Sequence, residues 1–579
     1  MKIEGDIRIN GKPYTKNLLK SMSGYVMQDD LIHAMLTVQE TLMYTAALRL
    51  PNTCDLAERL LRCDQCLKTM GIEYCRDVIV GDTRNKGISG GERKRLCVAM
   101  ELITRPKLLF LDEPTSGLDS TTALSLMHTM KDLCEQGICT VVCTIHQPQT
   151  KIFHLIDNLL LMKKGEIVYQ GACGKAEQYF AQAGYPCPEK MNPADHMLDC
   201  VTLGNHDDKE QAHIAKLSVP LNMDFGIEMD DFTLRAVQPW VWQLAVLVHR
   251  NMMEKFRRFD IIAMNIFITI IVAVFISNGA WFMIGNYADS VPKRNAIMFF
   301  TVIHQGVVSS LQGTYAFPLE RAIMLRERAA GAYYVSAYFL AKTGVDSLFQ
   351  LLAPFVFTAF VYPICGLNLF SYQKPFIFLG FQMLLCNCAV SLSNMCSCIF
   401  VSIEMSTVVL ACAMEITRLY SAFFVSPVLL DSYPKWKVRY VESVYQKYSH
   451  LVYVTIASLL FDRFLHRPLP PLTQTSAYYI LLHFSSYVSF FFSQFFDQIS
   501  YMKYGYIGLS LNEYNNLTLQ CTTAQLVKAT GLCLYTSGDQ LTALYGYDRY
   551  MTNYCGGMMI VYILVCRIAS YLALRFIKV

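Results

Sequence analysis

Two stretches, Ile88-Ser89-Gly90-Gly91-Glu92-Arg93 and, a helix length further on, Leu108-Leu109-Phe110-Leu111-Asp112-Glu113-Pro114, decide how the first half of this chain folds. The first opens a helix with a hydroxyl and two glycines, so unhindered backbone N–H groups and a positive dipole end face an anion. The second is an apolar run too short for a helix and closed by two acids, the mark of a buried strand ending at a polar site. Such a pair, Asp112-Glu113, suits phosphoryl transfer: one carboxylate holds Mg²⁺, directly or through water, while the next aligns or deprotonates the attacking water. Taken singly, two glycines are usually a turn and two acids a solvated loop. Their order along the chain carries the reading.

Working outward, residues 140–145 form a second apolar strand, and residues 91–103 and 121–135 have helical periodicity, so the region is α/β. Residues 7–11 and the pair 159–162 and 165–168 add a strand and a hairpin at either end. Residues 203–232 are polar and Asp-rich and read as a linker. Beyond about residue 260 the composition changes to apolar stretches of the ~20 residues that cross a bilayer. At 579 residues the chain exceeds one hydrophobic core, and the 53% hydrophobic content averages a water-soluble half with a lipid-soluble one. A net charge of +4 with no basic tract gives no reason to expect nucleic acid as a partner.

Residues 239–259 are amphipathic and end in Arg250, Lys255, Arg257 and Arg258, which suits a helix at the inner membrane face. Those cations set the topology by the positive-inside rule. Spans are expected near 261–284, 296–317, 346–367, 376–401, 404–430 and 556–577, leaving both termini cytoplasmic. The region 498–554 then lies outside, with the sequon Asn516-Leu517-Thr518 and with Cys521 and Cys533. The opening residues carry no apolar h-region, so the first span is expected to act as the targeting signal. Most of the 21 cysteines should be free thiols, and their pairing cannot be read from spacing. Glu404, Glu415 and Arg418 fall in an apolar stretch; the last two, three apart, share a helix face and can pair, either beside a cavity or as a structural contact. His304 and Phe299-Phe300 line a cavity or, more simply, pack.

The series Gln28, Ser89–Glu92, Asp112-Glu113, Ser116-Gly117-Leu118-Asp119 and His146 resembles an ATP-binding cassette transporter. That resemblance implies a Q-loop Gln28 that touches Mg²⁺ and senses the membrane domain. It makes Ser89, Gly90, Gly91 and Glu92 the signature that covers ATP bound on the opposite subunit. Asp112 becomes the Mg²⁺-associated acid, Glu113 the general base, Asp119 the interface residue after it, and His146 the switch histidine on the γ-phosphate. Asn192-Pro193-Ala194-Asp195, Glu320-Arg321 with Leu325-Arg326-Glu327-Arg328, and Ser500–Gly505 with Asn512-Glu513 are similar to the G subfamily of half-transporters, whose nucleotide domain comes first. The likeness covers most of the chain.

Two departures stand out. A G-x-x-x-x-G-K-[ST] loop, which cradles the β- and γ-phosphates, should precede residues 7–11 and is not in the sequence. Either a front segment is missing from the gene as read, which the intact downstream order favours, or a shortened protein lends only its signature face to a partner's site. Near 431–490 a basic, Pro-containing insertion appears, and residues 476–495 are apolar enough to pose as a seventh crossing. It is an intervening sequence read as coding, or a genuine external or re-entrant insertion.

The expected architecture is an α/β nucleotide-binding domain (1–202), a linker (203–235), an amphipathic connecting helix (236–259) and an all-α six-helix membrane domain (260–579). The expected function is ATP-driven, Mg²⁺-dependent export of an amphipathic or lipid-like small molecule by a dimer, homo- or heteromeric, in a lipid bilayer. A catalytically silent subunit that regulates a complete partner is the alternative.

Overall fold

The computed structural model describes residues 8–9, 11–82, 85–163, 165–202, 238–314, 317–318, 320–424, 427, 495–521 and 535–577. The chain separates into two compact units, residues 1–257 with 322–342, and residues 258–321 with 343–578.

The first unit opens with a short antiparallel pair, β1 (Arg8–Ile9) and β2 (Lys12–Pro13), and helix α1 (Lys16–Met22). Its centre is a three-stranded parallel sheet of β3 (Ser23–Val26), β4 (Leu108–Asp112) and β5 (Thr140–Thr144), in that order. The register pairs Val26 with Leu111 and Asp112 with Thr144. Alternation puts Val26, Leu109 and Leu111 on one face, where they bury against Leu42 of α2 (Val38–Arg49), Leu67 of α3 (Leu56–Met70), Leu96 of α4 (Gly90–Leu102) and Leu126 of α5 (Ser120–Glu135). The expected helices at 91–103 and 121–135 and strand at 140–145 are thus present, with ends moved by a residue, and the apolar run from Leu108 forms β4, which ends at Asp112. Beneath the apolar contacts, Arg49 forks onto Glu101 at 2.8 and 2.7 Å, a buried bidentate pair.

After α6 (Thr150–Phe153), the expected hairpin forms as β6 (Asn158–Lys163) and β7 (Glu166–Ala172), followed by α7 (Cys173–Gln182) and α8 (Pro193–Thr202). The expected linker at 203–232 lies outside the described residues. The amphipathic helix is α9 (Trp240–Arg257), and it belongs to this unit. Arg257 forks onto Glu40, the N3 residue of the α2 capping box, at 2.6 Å to each oxygen. Arg250 forks onto Glu327, which also accepts from the Tyr333 hydroxyl at 2.7 Å, and His33 Nδ1 lies 2.7 Å from Glu254.

The second unit starts with α10 (Phe259–Gly279) and α11 (Val291–Thr314). After α12 (Arg321–Ala329), which together with the first half of α13 (Val335–Gln350) belongs to the first unit, it continues through the rest of α13, α14 (Leu352–Ile364), α15 (Gln373–Ile399), α16 (Ile403–Leu419), α17 (Tyr501–Tyr514), α18 (Gly538–Leu544) and α19 (Thr552–Phe576). Among the described residues, four stretches are long and apolar enough to cross a membrane: Phe259–Gly279, Val335–Ile364, Gln373–Ile399 and Thr552–Phe576. The most enclosed is α15, whose Leu385, Cys388, Ala389 and Leu392 join the central cluster. The spans expected at 296–317 and 404–430 correspond to α11 and α16. The first carries Arg294, Gln305, Ser309 and Ser310 buried along its length, and the second is 17 residues long.

Glu404 sits in the first turn of α16, behind the N-cap Ser402, where a helix dipole favours an acid. Glu415 and Arg418 do pair, with side chains 63% and 45% exposed in the single chain. His304 packs, its ring 4.9 Å from Phe357 and 5.8 Å from Phe300. Cys521 is disulfide-bonded, whereas Cys555 is a buried free thiol. Cys533, the 431–490 insertion and most of the 476–495 stretch lie outside the described residues.

Candidate functional site

The carboxyl ends of β3, β4 and β5 converge, and each delivers one part of a polar site. β4 ends in Asp112, after which Glu113 takes a left-handed φ of 42° and turns its side chain out of the strand alternation. Thr144, opposite Asp112 on β5, fixes both acids: its hydroxyl donates to Asp112 Oδ1 at 2.8 Å and accepts from the Glu113 N–H at 3.0 Å. From β3, Gln28 donates through Nε2 to Glu113 Oε2 at 2.8 Å, and the Tyr25 hydroxyl donates to Asp112 Oδ2 at 3.0 Å. Burial first, then the bond and charge of Asp112, push the Tyr25 phenol upward, so it stays a donor.

Glu113 and His146 line one cleft of about 300 Å³ with Thr115, Ser116, Gln147 and Gln149. An exposed His146 and a carboxylate already aimed by two partners leave room between them for a phosphate-sized group. Gln28, Asp112, Glu113 and His146 thus lie together at one end of the sheet. Tyr25 and Thr144, which hold the acids, were not singled out. A hydroxyl on β5 two positions before the histidine is the signal that could have found Thr144.

Ser89, Gly90, Gly91, Glu92 and Asp119 form a second group that does not line this cleft. Ser89 caps α4 in a reciprocal box, accepting from the Glu92 N–H at 3.3 Å while Glu92 accepts from the Ser89 N–H at 2.6 Å. Tyr74 donates to the other Glu92 oxygen at 2.5 Å, and the phenol is pushed up to about 12 by that bond and then by burial. Burial alone would raise the Glu92 carboxyl, but the bonds from Tyr74 and Ser89 outweigh it and hold it below the usual range. Asp119 caps α5 by accepting from the Thr121 hydroxyl and the Thr122 N–H, and these bonds hold its carboxyl far below the usual range. A Cβ at Gly91 would stand 2.4 Å from Thr122 Cγ2, so only glycine lets the two capped helix starts approach this closely. Buried Lys94 of α4 ties this group to the first, reaching the Gln28 carbonyl at 2.8 Å and Asp30 at 2.7 Å.

A Mg²⁺ ion takes few protein ligands, usually one or two carboxylates, with phosphate oxygens and water completing an octahedron. Asp112, with Gln28 Oε1 left free by its amide nitrogen's bond, fits that need. Among the described residues no cluster of three or more His, Cys, Asp or Glu makes an all-protein cage.

The chain is similar to known proteins across both of its halves. The family description "ABC transporter" matches residues 1–116, and "ABC-2 type transporter" matches residues 146–224 and 243–448. ABC transporter G family member 25 of Arabidopsis thaliana is 36% identical over 389 residues, 62% of this chain and 58% of that protein. Member 22 of the same plant is 31% identical over 494 residues, 78% of this chain and 65% of that one. The broad substrate specificity ATP-binding cassette transporter ABCG2 of Mus musculus is 34% identical over 404 residues, 63% and 61% respectively. The chain thus spans about three fifths of the length of these curated relatives. With an ABC ATPase fold in its first half, an ABC-2 helical membrane region in its second and relatives of one kind across both, the chain belongs to the G family of ABC transporters.

Proposed function

We propose that this chain works as half of a dimeric exporter that uses ATP hydrolysis to move an amphipathic or lipid-like small molecule across a bilayer. The observation that carries the reading is the acid pair at the end of β4. Thr144 and Gln28 hold Asp112 and Glu113 in fixed aim, and His146 faces Glu113 across one cleft. Mg²⁺ bound at Asp112 would neutralise phosphate charge. Glu113 accepts a proton from the attacking water, Gln28 holds Glu113 in place, and His146 donates to the transferred phosphate.

The grouping of Ser89–Glu92 with Asp119, away from that cleft, supports a shared site in which a second subunit's signature closes over the nucleotide. A homodimer or a related partner satisfies this equally. Coupling follows from the covalent path: residues 322–342 belong to the ATPase-bearing unit, while the chain before and after them belongs to the membrane unit. Closure around nucleotide would therefore pull on α12 and reorient the helices it interrupts. Six crossings, α10, α11, α13 with α14, α15, α16 and α19, place both termini in the cytosol. The exposed sequon at Asn516 and the disulfide at Cys521 support an outside, oxidising location for that loop. The cargo class rests on the family resemblance alone; one relative is named only for broad substrate specificity.

The test is Glu113→Gln in protein made from the native transcript and reconstituted in vesicles. ATP binding should persist while hydrolysis falls at least about a hundredfold, the scale of a lost general base. If the wild type itself binds ATP but hydrolyses no faster than the variant, the silent-subunit reading replaces this one.

A further inference from the structure

The membrane unit meets most of its buried side-chain cations with acids or at helix ends. Arg294 is paired with Glu513, Lys503 with Asp497, and Arg321 caps the last carbonyls of α15, those of Ser397 and Cys398. Arg567, which is half-buried, is different. It lies nine residues inside the Phe576 end of α19, about 13 Å along a helix that is long and apolar enough to span. Its guanidinium points into the bundle, where Nη2 donates to Ser347 Oγ at 2.6 Å and Asn387 Oδ1 at 3.4 Å, and Nε donates to Ser391 Oγ at 3.4 Å. All three acceptors are neutral. Among the described residues no carboxylate comes within ion-pair distance.

The contacts also fix a direction. Nε and Nη2 are tied by α13 and α15, so the planar fork is held in one orientation, while Nη1 has no acceptor among the described residues and is not sealed in. An arginine that is permanently charged, preoriented by neutral dipoles and open along one edge is a donor set for an anion that is not part of this chain. The flanking side chains Leu564, Val565 and Ile568 are exposed along the same helix, which suits an alkyl chain beside the charged head.

We propose that Arg567, positioned by Ser347, Asn387 and Ser391, binds the anionic head of an amphiphile, a carboxylate, sulfate or phosphate, inside the membrane bundle. The occupant is either a bilayer phospholipid or a free single-chain amphiphile. Binding here requires no nucleotide, so the proposal stands or falls independently of the ATPase reading.

The test uses the full chain in nanodiscs of phosphatidylcholine, with spin-labelled stearic acid and its methyl ester as probes, and reads the motionally restricted fraction by electron paramagnetic resonance without ATP. Wild type should prefer the acid over the ester about tenfold, the scale of a charge-assisted contact. Arg567→Gln should remove that preference at an unchanged melting temperature, and Arg567→Lys should keep part of it. If Arg567→Gln does not fold, Ser347→Ala, which leaves the charge but loosens its aim, should lower the preference several-fold. Doping the discs with phosphatidate decides the source: displacement of the stearate assigns the site to bilayer lipid, and its retention assigns it to the free amphiphile. Equal acid preference in wild type and variants, with only the melting temperature lowered, makes Arg567 a structural staple and overturns the proposal.

Discussion

At the scale of single residues, the centre of the proposed nucleotide site depends on one hydroxyl. Thr144 both donates to Asp112 and accepts from the main chain of Glu113, so its loss frees two acids at once. Thr144→Val preserves shape and removes the hydroxyl. We expect about a tenfold fall in ATP turnover with nucleotide affinity retained, and a stability loss of about 1–2 kcal/mol for the two hydrogen bonds removed, readable by thermal melting. Turnover equal to wild type would show that Gln28 alone aims Glu113. The acids themselves were legible because an acid pair after a short apolar run has a chemical meaning. Thr144 and Tyr25 were not, because a hydroxyl acquires a role only when the register sets it opposite a carboxylate, and register is a property of paired strands.

At the scale of elements, two helix starts are locked against each other. Ser89 caps α4 and Asp119 caps α5, and Gly91 lies where any Cβ would press on Thr122. Gly91→Ala should destabilise the first unit by about 1–3 kcal/mol, the cost of overpacking. Adding Thr122→Ala removes the obstructing methyl and should recover most of that loss, a coupling that chemical denaturation of the single and double variants measures. Additive effects would mean that the glycine is needed for backbone conformation alone. The capping residues could be read directly from the sequence as S-x-x-E before a helical run, but the close approach could not, since it depends on how two helices cross.

At the scale of the whole molecule, buried charge sews α9 and α12 into the ATPase-bearing unit. Glu327 is shared by Arg250, Tyr333 and, at 3.8 Å, His33, which also meets Glu254. Burial would raise the Glu327 carboxyl, but Arg250, His33 and Arg326 outweigh it and hold it down to about 2. Glu254 is likewise depressed, against its burial, chiefly by His33 and then Lys342 and Arg250. A carboxyl whose folded pKa lies below its unfolded value of about 4.3 contributes stability that is complete above that pH and is lost as pH falls toward the folded value. The unit should therefore lose stability progressively from about pH 4.5 toward pH 2. Arg250→Ala should cost about 3–5 kcal/mol near neutrality, as breaking a buried pair does, and should flatten that acid limb in melts recorded across pH. An unchanged acid limb would remove Glu327 from the account.

By itself, the sequence determined the α/β half, the apolar half, the order of the motif residues and the family, because hydrophobic period and motif spacing are local and survive without a third dimension. The tertiary structure alone decided that residues 322–342 join the first unit, that Thr144 aims both acids and that Arg567 meets, among the described residues, neutral oxygens inside its bundle. Each of these depends on which groups distant in sequence come within bonding distance, and a linear pattern does not encode that.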